Sequence, residues 1–211
     1  VFALDLSGDP AKVDPMACTL RPGCTPVRAK ARVYGPAQHD FLREQVHRLV
    51  EKGFLFANPR SRWSSPALVV PKPGAESFRL TVDLRAVNKV TQPISWPIPN
   101  LEVVLRECGG RSFFAKLDFI QGYWQMPLHP SSQEMVSIIT PFGTFTPTRV
   151  PQGAVNAVAH FQGSLSQIFS HVEGLLQYID DLLLTARTEA DLLSSLSVVF
   201  TLCRQFNLKL H

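Results

Sequence analysis

Residues 177–184 read QYIDDLLL. Asp180 and Asp181 stand together inside an otherwise apolar run, with Tyr178 two places earlier. Strands avoid aspartate, and a carboxylate drawn out of water costs several kcal/mol unless its charge is compensated. Flanking runs of strand-forming residues make 175–186 a predicted hairpin with the acid pair at its tip. Turns favour Asp, which is the plain explanation. Tight hairpin turns, however, usually set Gly or Asn beside the Asp, and neither is here. The pair therefore asks for a positive partner.

The rest of the composition narrows the choice of partner. The chain has 211 residues, 45% of them hydrophobic, enough for one large domain or two small ones. Its formal net charge of +4 suits a nucleic-acid partner without requiring one. Cys18, Cys24, Cys108 and Cys203 show no CxxC spacing and no paired histidines. They are read as reduced thiols, not a zinc site or a disulfide framework. No apolar stretch reaches membrane-spanning length, so no membrane partner is expected. The start, VFALDLSG, lacks the basic end and long apolar core of a secretory signal, and the expected location is intracellular. It also lacks an initiator Met, which is read as the mark of a fragment.

Periodicity places the elements. Residues 1–35 carry Pro, Gly and Arg without a period and are read as an extended arm. A helix is predicted near 37–52, with Phe41, Leu42, Val46, Leu49 and Val50 on one face and Gly53 as its stop. PALVVP (66–71) reads as a short strand. FRLTVDLR (78–85) alternates, with Phe78, Leu80, Val82 and Leu84 facing a core and Arg79, Thr81, Asp83 and Arg85 facing away. Asp83 and Arg85 are expected to form a salt bridge that orients this strand.

A proline-rich link (92–99) and a short helix (100–108) follow. SFFAKLD (112–118) reads as a strand ending in Asp118, with a bend at Gly122. Ser131 and Glu134 suggest a capping box, and 135–148 a hairpin around PFG. A long helix near 154–172 is predicted to bury Val155, Val158, Leu165, Ile168, Phe169 and Val172. The last helix, near 189–206, is capped by Thr188 and buries Leu192, Leu196, Val199, Cys203 and Phe206. Helices on one face of a small antiparallel sheet make an α+β layer arrangement.

Asp118, at the end of one apolar strand, and the Asp180–Asp181 pair, at the tip of a hairpin, would bring three carboxylates to neighbouring strand ends. Such like charges repel unless a cation sits among them. A few carboxylates plus substrate phosphates describe a magnesium site, and two such ions support phosphoryl transfer.

Four stretches, VPKPGAESFRLTVDLRAVNKVTQ, FFAKLDFIQGYWQ, VPQGAVNAVAHFQ and QYIDDLLL, occur in the order seen in reverse transcriptases of retroviruses and gypsy-type LTR retrotransposons. The chain resembles that family over residues 20–211, including WSSPALVVPKPG and the FNLKL ending. The resemblance implies an RNA-directed DNA polymerase, a nucleotidyltransferase that joins a dNTP to a primer 3′-OH on an RNA or DNA template. It implies the fingers and palm of a right hand, interleaved: an arm over 1–35, fingers over 36–92 and 126–153, palm over 93–125 and 154–211.

The same resemblance assigns residues. Asp118, Asp180 and Asp181 match the catalytic acids. Asp118 and Asp180, with the Phe119 carbonyl, would hold two Mg²⁺ ions, Mn²⁺ being the alternative, and Asp181 completes the cluster. Lys72 and Arg79 match residues on the triphosphate, and a guanidinium suits phosphate. Tyr123 matches an aromatic gate under the sugar, whose ring would collide with a 2′-hydroxyl. Gln152 matches a residue near the nucleotide 3′-OH, Gly153 allows close approach of nucleotide or template, and Tyr178 lies by the primer terminus.

Two departures stand out. Val158 takes the place of a proline common in the family. The 211 residues hold no thumb or RNase H segment; these are expected in a parent polyprotein, and the isolated chain is expected to bind nucleic acid weakly and extend it poorly. Two other readings are a non-catalytic remnant of a retroelement polyprotein and an unrelated two-carboxylate enzyme such as a glycosidase. The second needs neither the basic strand nor the PQG helix.

Overall fold

The computed structural model describes residues 1–74, 77–97 and 100–211. Ala75 and Glu76 of the first family motif, and Ile98 and Pro99 at the end of the proline-rich link, lie outside the described residues. In chain order the first elements are α1 (Pro36–Glu51), β1 (Leu55–Ala57), β2 (Ser65–Pro71), β3 (Phe78–Val82), α2 (Arg85–Val90), α3 (Leu101–Glu107), β4 (Phe113–Asp118) and α4 (Gly122–Gln125). There follow α5 (Pro130–Gln133), β5 (Ile138–Thr140), β6 (Gly143–Pro147), α6 (Ala157–Phe169), β7 (Leu175–Tyr178), β8 (Asp181–Ala186) and α7 (Glu189–Gln205). The mixture is α+β, with the chain divided into two compact units that interleave in sequence.

One unit comprises Pro15–Pro93 and Pro127–Ala157. Its sheet has the order β1-β6-β5-β2-β3. All pairings are antiparallel except β2 with β5, where Ser65 faces Ile138. Helix α1 starts at Pro36, whose fixed φ and missing N–H suit a first helical position. It buries Leu42, Val46 and Leu49, and the Phe41 ring lies 5.6 Å from that of Phe78 on β3. Val50, expected on the buried face, is 38% exposed, because one residue past Leu49 turns the side chain by about 100°.

Three further expectations are corrected in this unit. The alternating strand stops at Val82, not Arg85. The Leu84 carbonyl accepts the Asn88 N–H at 2.8 Å, so the chain has already turned into α2 and Leu84 is buried. The capping box at Ser131 and Glu134 does not form. His129 caps α5 by accepting from the Ser131 N–H, and the Glu134 carboxylate accepts the Arg62 N–H at 2.7 Å. Val155 is 39% exposed and precedes α6. Its N–H donates to the Asn88 side chain at 3.0 Å, which holds the segment as a loop until Ala157.

The other unit comprises Val1–Asp14, Ile94–Met126 and Val158–His211. Its sheet has the order β4-β8-β7, antiparallel throughout. Alternation gives the sheet two unlike faces. Leu182 and Leu184 of β8 are fully buried and stand beside Leu117 and Ala115 of β4. Helix α7 packs against β4 and β8, burying Val199 and Cys203. Burial pushes the Cys203 thiol up to about 12, so it serves as a small apolar group. Residues 114, 116, 118, 181 and 183 make up the opposite face, where none is fully buried apart from its margin at Thr185.

The bend predicted at Gly122 falls one residue earlier. Gln121 takes φ 48, and Gly122 opens α4. What Gly122 supplies is room: a Cβ there would sit 2.9 Å from Phe161 Cζ. Gln125 then ties the turn to the chain end. Its amide donates to Ile120 O and Lys209 O, both at 2.8 Å, and accepts the Lys209 N–H at 2.8 Å.

Candidate active site

Strand pairing decides where the carboxylates go. Asp118 is directly opposite Asp181, and Asp181 is directly opposite Tyr178. Directly opposed residues of an antiparallel ladder share a face. Tyr178, Asp181 and Asp118 thus form one row across three strands, on the face away from Leu182 and Leu184. Asp118 and Asp180 are exposed, and Asp181 is half-buried.

Asp180 lies in the two-residue turn between β7 and β8, after Ile179. Ile179 adopts φ 56. A left-handed conformation is rare for a β-branched residue and costs on the order of 1–3 kcal/mol. The surrounding hairpin holds this strain, which answers why no Gly or Asn was found there. Gln177 braces the hairpin from below, accepting from Ser166 Oγ at 3.0 Å and donating to Gln162 O at 3.3 Å.

Opposed carboxylates destabilise a ladder, and a cation answers them. Lys116 Nζ lies 3.1 Å from Asp181 Oδ1. Its hydrogen bond to Asp181 raises the Lys116 pKa, helped by the charges of Asp181, Asp118 and Asp180. An ammonium group thus offsets part of the negative charge in this row. No group of three or more acid, histidine or cysteine side chains is drawn close enough to cage an ion among the described residues. The acids present, hard oxygen donors open to solvent, fit an ion that keeps several waters.

Phe119 is buried and pairs with Leu210. The bonds around that pair run from His211 N–H to Asp118 O and from Ile120 N–H to Lys209 O. That pattern turns the Phe119 carbonyl away from Leu210. Tyr123 is half-buried, its ring 5.3 Å from that of Phe161, which is itself 5.6 Å from Phe119. Burial, and then the charge of Asp180, raise the Tyr123 hydroxyl above its usual range. The acids, Phe119, Tyr123 and Tyr178 therefore belong to one unit.

Lys72, Arg79, Gln152 and Gly153 belong to the other unit, and all four are exposed. Arg79 stands opposite Val70 on the β2–β3 hairpin. The Lys72 N–H donates to Ser77 O at 2.8 Å. Gly153 has φ 100, a conformation most side chains avoid. Asn88 fastens this loop, donating to Gly153 O at 2.9 Å while accepting from Val155 N–H.

In the same unit Asp83 accepts from Arg85 through two bonds, at 2.8 and 2.7 Å, and from Arg32 at 2.8 Å. The expected Asp83–Arg85 pair is present, but it pins the β3–α2 junction and draws in Arg32. The Arg85 hydrogen bonds hold the Asp83 carboxyl down at about 2, against an ordinary 3.8. A depressed carboxylate stabilises the fold above its unfolded value and ceases to do so as pH falls through its folded value. Thermal melting should therefore lose stability between pH 4 and about 2, and Asp83→Asn should flatten that part of the profile. An unchanged slope in the variant would assign the acid loss to other groups.

Reading the sequence left several of these residues out. Lys116 had a usable signal, since its spacing of two from Asp118 on a strand puts both on one face. Asn88, Gln125 and Gln177 had none, because each also bonds a partner well outside its own segment: Gly153, Lys209 and Ser166.

The family described as reverse transcriptase (RNA-dependent DNA polymerase) matches residues 70–211. The retrovirus-related Pol polyprotein from transposon 412 of Drosophila melanogaster is 32% identical over 182 residues, 83% of this chain and 15% of that protein. The Pol polyprotein of Feline endogenous virus ECE1 is 34% identical over 191 residues, covering 83% of this chain and 18% of that one. The chain therefore spans 15% and 18% of these two polyproteins.

Among solved structures, a foamy viral protease-reverse transcriptase in complex with double-stranded DNA aligns with a TM-score of 0.84 at 23% identity, over 95% of this chain and 35% of the other. A foamy viral protease-reverse transcriptase bound to an RNA/DNA hybrid aligns with 0.84 at 22% identity, over 93% and 26%. The family match, the retroelement relatives and the shared fold lead to one assignment: the chain belongs to the reverse transcriptase (RNA-dependent DNA polymerase) family.

Proposed function

We propose that this chain carries the nucleotidyl-transfer centre of a retroelement reverse transcriptase, joining a dNTP to a primer 3′-OH on an RNA or DNA template. The observation that carries the reading is the row Tyr178–Asp181–Asp118 with Asp180 in the adjoining turn, where like charges already recruit a cation. The unit with the acid row would act as palm and the five-stranded unit as fingers. DNA and RNA/DNA hybrid in the solved relatives support a nucleic-acid partner.

Asp118, Asp180, Asp181 and the Phe119 carbonyl would hold two magnesium ions, with manganese as the alternative. Such ions supply charge stabilisation of the attacking and leaving oxygens. The chain's own groups do the positioning. Tyr123 bounds the sugar, Lys72 and Arg79 engage the triphosphate, Gln152 and Gly153 lie along the nucleotide, and Tyr178 supports the primer end. Catalysis of this kind rests on placement and electrostatics, with little covalent work for the protein.

Metal binding tests the reading on the 211-residue chain itself. Ligand that binds the folded state alone adds about 2.7 kcal/mol at a concentration of 100 times Kd. For a chain of this size that corresponds to a Tm rise of about 5–10 °C. Mg²⁺ should give such a rise in the wild type and a much smaller one in Asp180→Asn and Asp118→Asn. Equal shifts in all three proteins would remove the acids from the metal site.

A further inference from the structure

We propose that Lys116 is a built-in counter-cation, which occupies the acid row when no metal is bound and must release Asp181 before metal can load. This inference rests on the active-site reading above and adds a residue to it. Lys116 lies two positions before Asp118 on β4, so both side chains project from the same face. In the ladder it faces Leu183, which makes Asp181 its diagonal neighbour, a separation that a long side chain spans. The ammonium reaches it, with Nζ 3.1 Å from Asp181 Oδ1.

The lysine is 65% exposed in its side chain and Asp181 42%, so the pair is open to water and can part readily. The neighbours of Lys116 on the strand are Ala115 and Leu117, and its cross-strand partner is Leu183. Among the described residues its ion pair is with Asp181, a member of the acid row.

Two consequences have opposite signs. Without metal, Lys116 relieves the repulsion between Asp118 and Asp181, so its loss should lower the melting temperature. With metal, the ammonium competes for Asp181 and repels the ion, so its loss should tighten metal binding. A residue that merely packs would show the first effect without the second. Selection for metal at working concentrations would follow, since weak or scarce cations could not displace the lysine.

The test uses the full 211-residue chain and Mn²⁺ as the probe, with free ion measured by electron paramagnetic resonance at low ionic strength. Lys116→Met should bind Mn²⁺ about three- to tenfold tighter than wild type while melting lower in the metal-free state. Lys116→Arg, which keeps the charge, should remain near wild type in both measurements. Should Lys116→Met fold poorly, Lys116→Gln gives the same comparison. Equal Mn²⁺ affinity in wild type and the neutral variants would overturn the counter-cation role while leaving the metal site intact. Absence of Mn²⁺ binding in every protein, wild type included, would overturn the underlying site reading as well.

Discussion

Asp118→Asn or Asp180→Asn should lower primer extension by about 10³-fold or more, with little loss of fold stability. Asparagine keeps the shape of the side chain and removes its charge. If these carboxylates hold the ions that neutralise the reacting phosphate, losing one removes several kcal/mol of transition-state stabilisation, each 1.4 kcal/mol being about tenfold in rate. Stability should move the other way. Asp118 is exposed and stands directly opposite Asp181, so neutralising it relieves a repulsion in the metal-free ladder. Gel-based extension by a form of the chain fused to thumb sequence, alongside melting curves, measures both quantities. Extension within tenfold of wild type, with normal folding, would remove these acids from catalysis.

Tyr123→Ala should raise ribonucleotide incorporation relative to deoxynucleotide by about 10²-fold, whereas Tyr123→Phe should leave the ratio unchanged. Exclusion of a 2′-hydroxyl needs bulk at the sugar, and a single well-placed contact discriminates on this scale. The bulk must also be held still. Here the Tyr123 ring leans on Phe161, fully buried in α6 and touching Phe119 in turn. The tyrosine also carries a hydroxyl whose proton is held more tightly through burial and the nearby Asp180 charge. That proton matters little to a steric gate, which is why the Phe variant separates the two roles. The readout is the ratio of kcat/KM for matched rNTP and dNTP substrates in the same fused form. An unchanged ratio in the Ala variant would show that the gate lies elsewhere.

Local chemistry carried much of the fold. Gly53 stops α1, Thr188 caps α7 by accepting the Asp191 N–H, and alternating residues mark β3. Each is a short-range signal, set by φ preferences, capping bonds and the two-residue strand period. It failed where a distant group intervened. FRLTVDLR alternates beyond Val82, yet the strand ends there because Leu84 opens a helical turn and two arginines take Asp83. Val155 fits a helical face, yet Asn88, 67 residues earlier, holds it in a loop.

The same division runs through the site. From the sequence alone one can name Asp118, Asp180, Asp181 and Tyr123, because motif order and residue chemistry single them out. Only the tertiary structure sets Asp118 against Asp181 and Tyr178 in one row, since register joins strands more than 60 residues apart in sequence. It alone brings the Lys116 ammonium onto Asp181 and holds Ile179 at a positive φ under the acid pair. Those features arise from long-range packing, whose energy depends on which side chains meet, and no window of neighbouring residues encodes that meeting.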